Sequence, residues 1–338
     1  MKKKIILEEP YMKSVPYLAS FFSFFKVNKS TMPWLLKFFS SPYAFRKVMN
    51  NEMELKSHGI ISANYLNDYF MMCCPFVEVC NINQRLINND IIDVIKGAIL
   101  NGFCMTAIIN PHYINAYGEF DLNEHDLLIF GFDDENELVY GKDFFPPRKK
   151  FESRGIPYHE YIEAFVARNT EYNIRFLKKR EVVTEPTYKD LIKVLVETVQ
   201  NLLDESMRVE NPYYPLVKQV KNEGISEFMK PVEVWTGIGI YDGLIQNIDN
   251  IFFRDWMLFI DVHRLIYDAL VYSLPYSKEL KEFENIIKSL EIVLSLSIKY
   301  NITEQTKVLK SMVNKLQNLK EKERECLTTL LHQLKKYK

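Results

Sequence analysis

The sequence predicts an α+β protein of two domains: a mixed domain over residues 1–184 carrying an antiparallel sheet, and a helical domain over residues 185–338. Three observations lead there. "LLIFGFDDENELVYG" (127–141) joins two short apolar, strand-forming runs through an acidic turn. The second half is filled by stretches with apolar residues at helical spacing. Between the halves, "TEPT" (184–187) interrupts both patterns with a proline. At 338 residues the chain is long enough for two domains or one large one, with chain to spare for a core.

The elements follow in order. Residues 15–25 read as a helix, with Ser14 as its N-cap and Pro16 in its first turn. "DIIDVIKGAILN" (90–101) has helical spacing and a Gly102 stop. "CMTAIIN" (104–110) reads as a buried strand, and the hairpin at 127–141 follows. "PYHEYIEAFVA" (157–167) is a helix and "YNIRFLKKR" (172–180) a closing strand. Past the break, residues 188–203, 253–273, 277–300 and 304–336 are amphipathic helices, with Thr303 capping the last. In that last helix Val308, Met312, Leu316 and Leu319 form one apolar stripe.

Composition narrows the function. Lys and Arg number 43 against 44 Asp and Glu, so no basic excess exists to neutralise phosphates, and nucleic acid is not an expected partner. Only 11 glycines are present, and neither a P-loop nor a dinucleotide fingerprint occurs. The opening "MKKKIIL" imitates a signal-peptide head, but Glu8, Glu9 and Pro10 stop the apolar run. No stretch reaches membrane-spanning length. The five cysteines, an odd number without metal-ligand spacing, read as reduced thiols of a cytoplasmic protein. No metal and no cofactor are expected.

One pattern carries chemistry. His125 opens the first hairpin strand, and Lys142-Asp143 closes the second, so a hairpin of these lengths returns Asp143 to His125. A carboxylate beside an imidazole fixes its tautomer and leaves the other nitrogen to take a nucleophile's proton, which is half of a triad. His263, on an apolar helix, reads as a satisfied core residue.

The stretch "HDLLIFGFDDE" (125–135) resembles the H-D-x-L-I-Y-G-Y-D-D-E pattern of the butirosin biosynthesis protein H family, itself related to the papain-like C39 peptidases. "DIIDVIKGAILNGF", "INPHYINAYGEF", "EVWTGIGIYDGLIQNI" and "FIDVHRLIYDALVYSL" also look like that family. The resemblance implies a papain-like (C39-related) first domain. It also implies acyl transfer from an acyl or peptidyl carrier-protein thioester to an amine acceptor, with His125 as base, Asp143 as its orienter, and His112 and Tyr113 of the run "HYINAY" near the cleft as substrate-lining candidates. The family's nucleophile is a cysteine at the start of the first helix. Here "EEPYMKSVPYLASFFSFF" holds none; Ser14 is best placed, with Lys13 one residue away, and the nucleophile is expected between Met12 and Pro16. Glu8 and Glu9 stand where an oxyanion glutamine is usual, and a carboxylate there would repel a developing oxyanion. Cys73 and Cys74 fall between the first helix and first strand, out of order for a nucleophile. Two other readings stay open: a nucleophile-lacking pseudoenzyme that serves as a scaffold, and a peptidase-like hydrolase.

Overall fold

The structure is a computed structural model. It describes residues 1–14, 16–39, 42–47, 59–62, 71, 74–83, 87, 90–118, 124–146, 150–168, 173–181, 186–210, 232–249, 251 and 253–337. The chain is α+β. It forms two compact units, Met1–Val27 with Asn67–Thr184, and Asn28–Leu66 with Glu185–Lys338.

The first unit is built on a seven-stranded sheet. Its strands are β1 (Lys2–Lys4), β4 (Val77–Asn83), β5 (Cys104–Ile109), β6 (His125–Asp133), β7 (Leu138–Phe145), β8 (Lys150–Pro157) and β9 (Asn173–Lys179). The order is β4-β9-β5-β6-β7-β8, and every pairing is antiparallel. β1, read from sequence as an imitation signal head, instead continues the edge of β6 beyond the end of β5, matching Lys2 to Asp133. The lysines suit that position, because Lys2 reaches Asp133 at 2.8 Å and Lys4 lies over the Tyr140 ring.

The predicted hairpin is present, longer at both ends than its apolar runs. Its turn holds Glu137 at φ 51, and the β6–β7 register slips by one residue between Ile129 and Gly131. That bulge lets β6 twist while its first half stays in register with β7. Helix α1 (Pro16–Phe22) packs on β6 and β7, α3 (Ile91–Leu100) on β5 and β6, and α4 (Tyr158–Val166) on β5, β7 and β8. α1 is shorter than its expected span of 15–25. α3 ends where the sequence indicated, since Gly102 takes φ 83, a conformation glycine adopts without strain.

Alternation divides the sheet's two faces. Met105, Ala107, Ile109, Leu127, Ile129, Val139, Phe145 and Ile156 join Ile91, Ile95 and Ile99 of α3 and Tyr161, Ala164 and Phe165 of α4 in one fully buried core. Lys142, Phe144, Phe151 and Arg175 belong to the other face.

In the second unit, α5 (Tyr188–Leu203), α6 (Ile240–Gln246), α7 (Phe253–Ser273), α8 (Glu279–Thr303) and α9 (Thr306–Lys335) accompany α2 (Met32–Phe39). The expectations for this half need three corrections. A four-stranded antiparallel sheet, β10 (Ser206–Glu210), β11 (Val232–Thr236), β2 (Pro42–Lys47) and β3 (Gly59–Ser62), belongs to this unit. Residues 28–66, assigned from sequence to the first domain, therefore group with the second, because β2 finds its partner in β11. Thr303 does not cap the last helix; it ends α8, where its hydroxyl donates to the Lys299 carbonyl at 2.9 Å. Glu304 turns the chain in the left-handed region and Gln305 precedes α9. Val308, Met312, Leu316 and Leu319 are buried, as their stripe requires. Among the described residues no helix is long and apolar enough to cross a membrane.

Candidate active site

His125 is the first residue of β6 and pairs across to Ile109 at the end of β5. Continuing the β6–β7 register from Leu128↔Lys142 toward the strand start brings Asp143 opposite Leu127, two residues from His125 and on the same face. The diagonal closes: His125 Nε2 lies 2.7 Å from Asp143 Oδ2. Asp143 is 1% exposed, whereas the imidazole keeps part of its surface. The two residues chosen from the sequence as base and orienter therefore meet in the structure.

A third group joins them. The Tyr117 hydroxyl donates to the same Asp143 oxygen, and the Tyr117 ring meets the His125 ring edge to face, centroids 5.5 Å apart. Burial, then the negative charge of Asp143 and the hydrogen bond to it, hold the Tyr117 phenol well above the ordinary tyrosine value, so it stays a donor. Its position is fixed through the 3-10 turn Asn115–Tyr117. Glu160 of α4 accepts from the Asn115 backbone N–H at 2.9 Å and from its side-chain amide at 2.6 Å. Arg154 donates to the Ala116 carbonyl at 3.0 Å.

Two more polar atoms lie unspent nearby. Among the described residues, the Tyr161 hydroxyl and Arg168 Nε are buried without a hydrogen-bond partner. Tyr161 is close enough to Tyr117 and to Arg168 to act on both electrostatically, and Arg168 is likewise coupled to Glu124, the neighbour of His125. The C-terminal end of α4 is pinned at this end of the sheet, where Asn110 N–H donates to the Ala164 carbonyl at 2.9 Å. Burial lowers the Arg168 pKa somewhat.

The other sequence-chosen residues lie elsewhere. His112 and Tyr113 are exposed on the 3-10 turn Pro111–Tyr113, their rings edge to face at 5.6 Å. Of the run "HYINAY", it is the last residue, Tyr117, that reaches Asp143. Ser14 is 4% exposed, and among the described residues its hydroxyl makes no hydrogen bond, neither to His125 nor to cap α1. The chain leading into α1 runs along the opposite face of the sheet. Glu9 and Lys13 act on Lys142, and Glu8 reaches Lys179 at 3.8 Å. Glu8 and Glu9 are otherwise paired with Lys26 and Lys13. Cys74 is buried, and that burial pushes its thiol up to about 12, so it carries no thiolate at neutral pH. Cys73 lies outside the described residues.

His263 is a core residue with both ring nitrogens engaged, by the Phe259 carbonyl at 2.8 Å and by Glu323 at 3.2 Å. Among the described residues no group of three His, Cys, Asp or Glu side chains could hold a metal ion. Neither the known family models nor the curated proteins yield a match to this chain.

Proposed function

We propose that the protein is an acyltransferase that forms an amide by moving an acyl group from a carrier-protein thioester to an amine. His125 is its general base, and the first unit is a papain-like (C39-related) domain. One observation carries this reading: the chain of hydrogen bonds from Tyr117 and His125 to the single buried oxygen of Asp143. A buried carboxylate with two donors holds the imidazole in one orientation and stabilises it once protonated. With Nε2 engaged, Nδ1 is the nitrogen that accepts a proton.

The position of Ser14 favours direct transfer over an acyl-enzyme. A thioester is already activated, so an amine deprotonated by a positioned base can attack it without a protein nucleophile. The amine nitrogen bonds to the carbonyl carbon as its proton passes to His125. The tetrahedral intermediate then expels sulfur, which leaves as the carrier thiol with that proton. Tyr161 and Arg168, with buried donors unspent and acting on Tyr117 and Glu124 respectively, are the groups suited to the developing oxyanion.

The test is a transfer assay with an acyl thioester and a panel of primary amines, read by mass spectrometry. Amide formed only with amine, no acyl adduct on the protein, and loss of product in His125→Ala would agree with direct transfer. An adduct on Ser14 would replace it with the two-step route. No thioester consumption with any amine would leave the scaffold reading, which the isolated Ser14 hydroxyl and the salt-bridged Glu8 and Glu9 also suit.

A further inference from the structure

A groove between α8 and α9, in the second unit, has no part in the dyad. It holds about 350 Å³ and is lined by Ser289 of α8 and by Ser311, Asn314, Lys315, Asn318, Leu319 and Lys322 of α9. The α9 residues recur every three or four positions and so form one stripe down the helix. Such a volume lies at the lower end of small-ligand pockets, roughly 300–1,000 Å³.

The charges of this groove are uncompensated. No carboxylate lines it. Among the described residues neither Lys315 nor Lys322 has an ion-pair partner, and the amides of Asn314 and Asn318 and the Ser311 hydroxyl have no hydrogen-bond partner. Some other cations of α8 and α9 are paired, Lys281 and Lys288 with Glu284, Lys320 with Glu205 and Asp242, and Arg324 with Glu321 and Glu205, whereas Lys307 and Lys310 have no ion pair among the described residues; Arg264 of α7 takes Glu291. Glu284 and Glu291, the carboxylates nearest Ser289 along α8, are thus occupied. The first half of α9, "TKVLKSMVNKLQNLK", carries four lysines and no acid; of these Lys320 is ion-paired, and Lys322 follows in the mixed run "EKERE".

From this arrangement we propose that the groove is a binding site for a small phosphorylated molecule. Two ammonium groups match a phosphate's charge, and the two amides and the Ser311 hydroxyl supply directional donors for its oxygens. The buried Leu319 gives an apolar floor for the organic part of an ester. The Ser289 proton is committed to the Asn285 carbonyl at 2.8 Å, so its lone pairs serve as acceptor for a ligand hydroxyl. A simple carboxylate, with one charge and two oxygens, would leave half of these groups unused.

Inorganic pyrophosphate is the probe. The full chain is titrated by calorimetry at an ionic strength of about 0.05 M, low enough that surface charges are weakly screened. Saturable binding with a Kd under about 1 mM is expected. The Lys315→Gln/Lys322→Gln variant should weaken it at least ~10-fold, about 1.4 kcal/mol. Lys307→Gln/Lys310→Gln, on exposed lysines outside the groove, should stay within about two-fold. Bound pyrophosphate should also shield Lys315 and Lys322, and not Lys307, from acetylation read by peptide mass. Absence of saturation would overturn the site. So would equal weakening in both double variants, which would show attraction to the helix's general charge and no defined groove.

Discussion

At the scale of single residues, the dyad and the orphaned serine make opposite predictions. Asp143→Asn keeps the shape but lets the imidazole take the wrong tautomer, so transfer should fall by about 10²–10⁴-fold, the range of a general base. Tyr117→Phe removes one charge-assisted donor and leaves the His125 contact, so a loss of about ten-fold is expected. Its signature is a moved pH profile, because Asp143 then bonds the imidazole alone. Ser14→Ala should do the reverse of harm. It deletes a buried hydroxyl that has no hydrogen-bond partner among the described residues, and chemical denaturation should show a gain of up to about 1 kcal/mol with transfer unchanged. A large loss of transfer in Ser14→Ala would restore it as nucleophile.

At the scale of elements, β1 depends on a missing side chain. A Cβ on Gly131 would stand 2.7 Å from the Lys3 carbonyl and 3.0 Å from the Lys4 Cα, both backbone. Gly131→Ala should therefore prise β1 from β6 and cost about 1–3 kcal/mol, with faster amide exchange at Lys4 and Ile5. In the second unit, His263 and Glu323 join α7 to α9, and Tyr241 of α6 donates to the same carboxylate. Burial alone would lower the His263 pKa, but the charge of Glu323 and the hydrogen bond to it outweigh that and raise it above 6.5. The folded state thus favours the protonated imidazole. The stability this contributes is complete below the unfolded histidine value and is lost as pH rises through the higher folded one. Denaturation at about pH 6 and about pH 8.5, either side of the ordinary ~6.5, should show lower stability at the higher pH. In Glu323→Gln burial is opposed only by the Phe259 carbonyl, and the fall in stability through that range should shrink or reverse.

At the scale of the whole chain, residues 28–66 decide how it can be cut. A fragment spanning 185–338 keeps β10 and β11 but loses β2, the partner of β11, and α2, which packs on α5. It should show helix by far-UV circular dichroism yet little near-UV signal from Trp235, whose buried position needs that sheet. The sequence by itself determined the long helices, because their periods are local and uninterrupted: residues 188–203 and 253–273 begin and end where the spacing placed them. It also determined the hairpin and the meeting of His125 with Asp143, since one short turn fixes that distance. β10, β11 and β8 were not legible. β10 and β11 lie in a half dominated by helical spacing, "KFESRGIP" buries only Phe151 on one face and Ile156 on the other, and strands of this kind form only where a distant partner waits. Nor could the sequence choose Tyr117 over His112 and Tyr113, because a 3-10 turn held by Glu160 decides which aromatic faces the carboxylate. The sequence put Ser14 at a helix start. That the chain there follows the other face of the sheet was decided by strand alternation and by ion pairs made across long stretches of chain, and those belong to the tertiary structure alone.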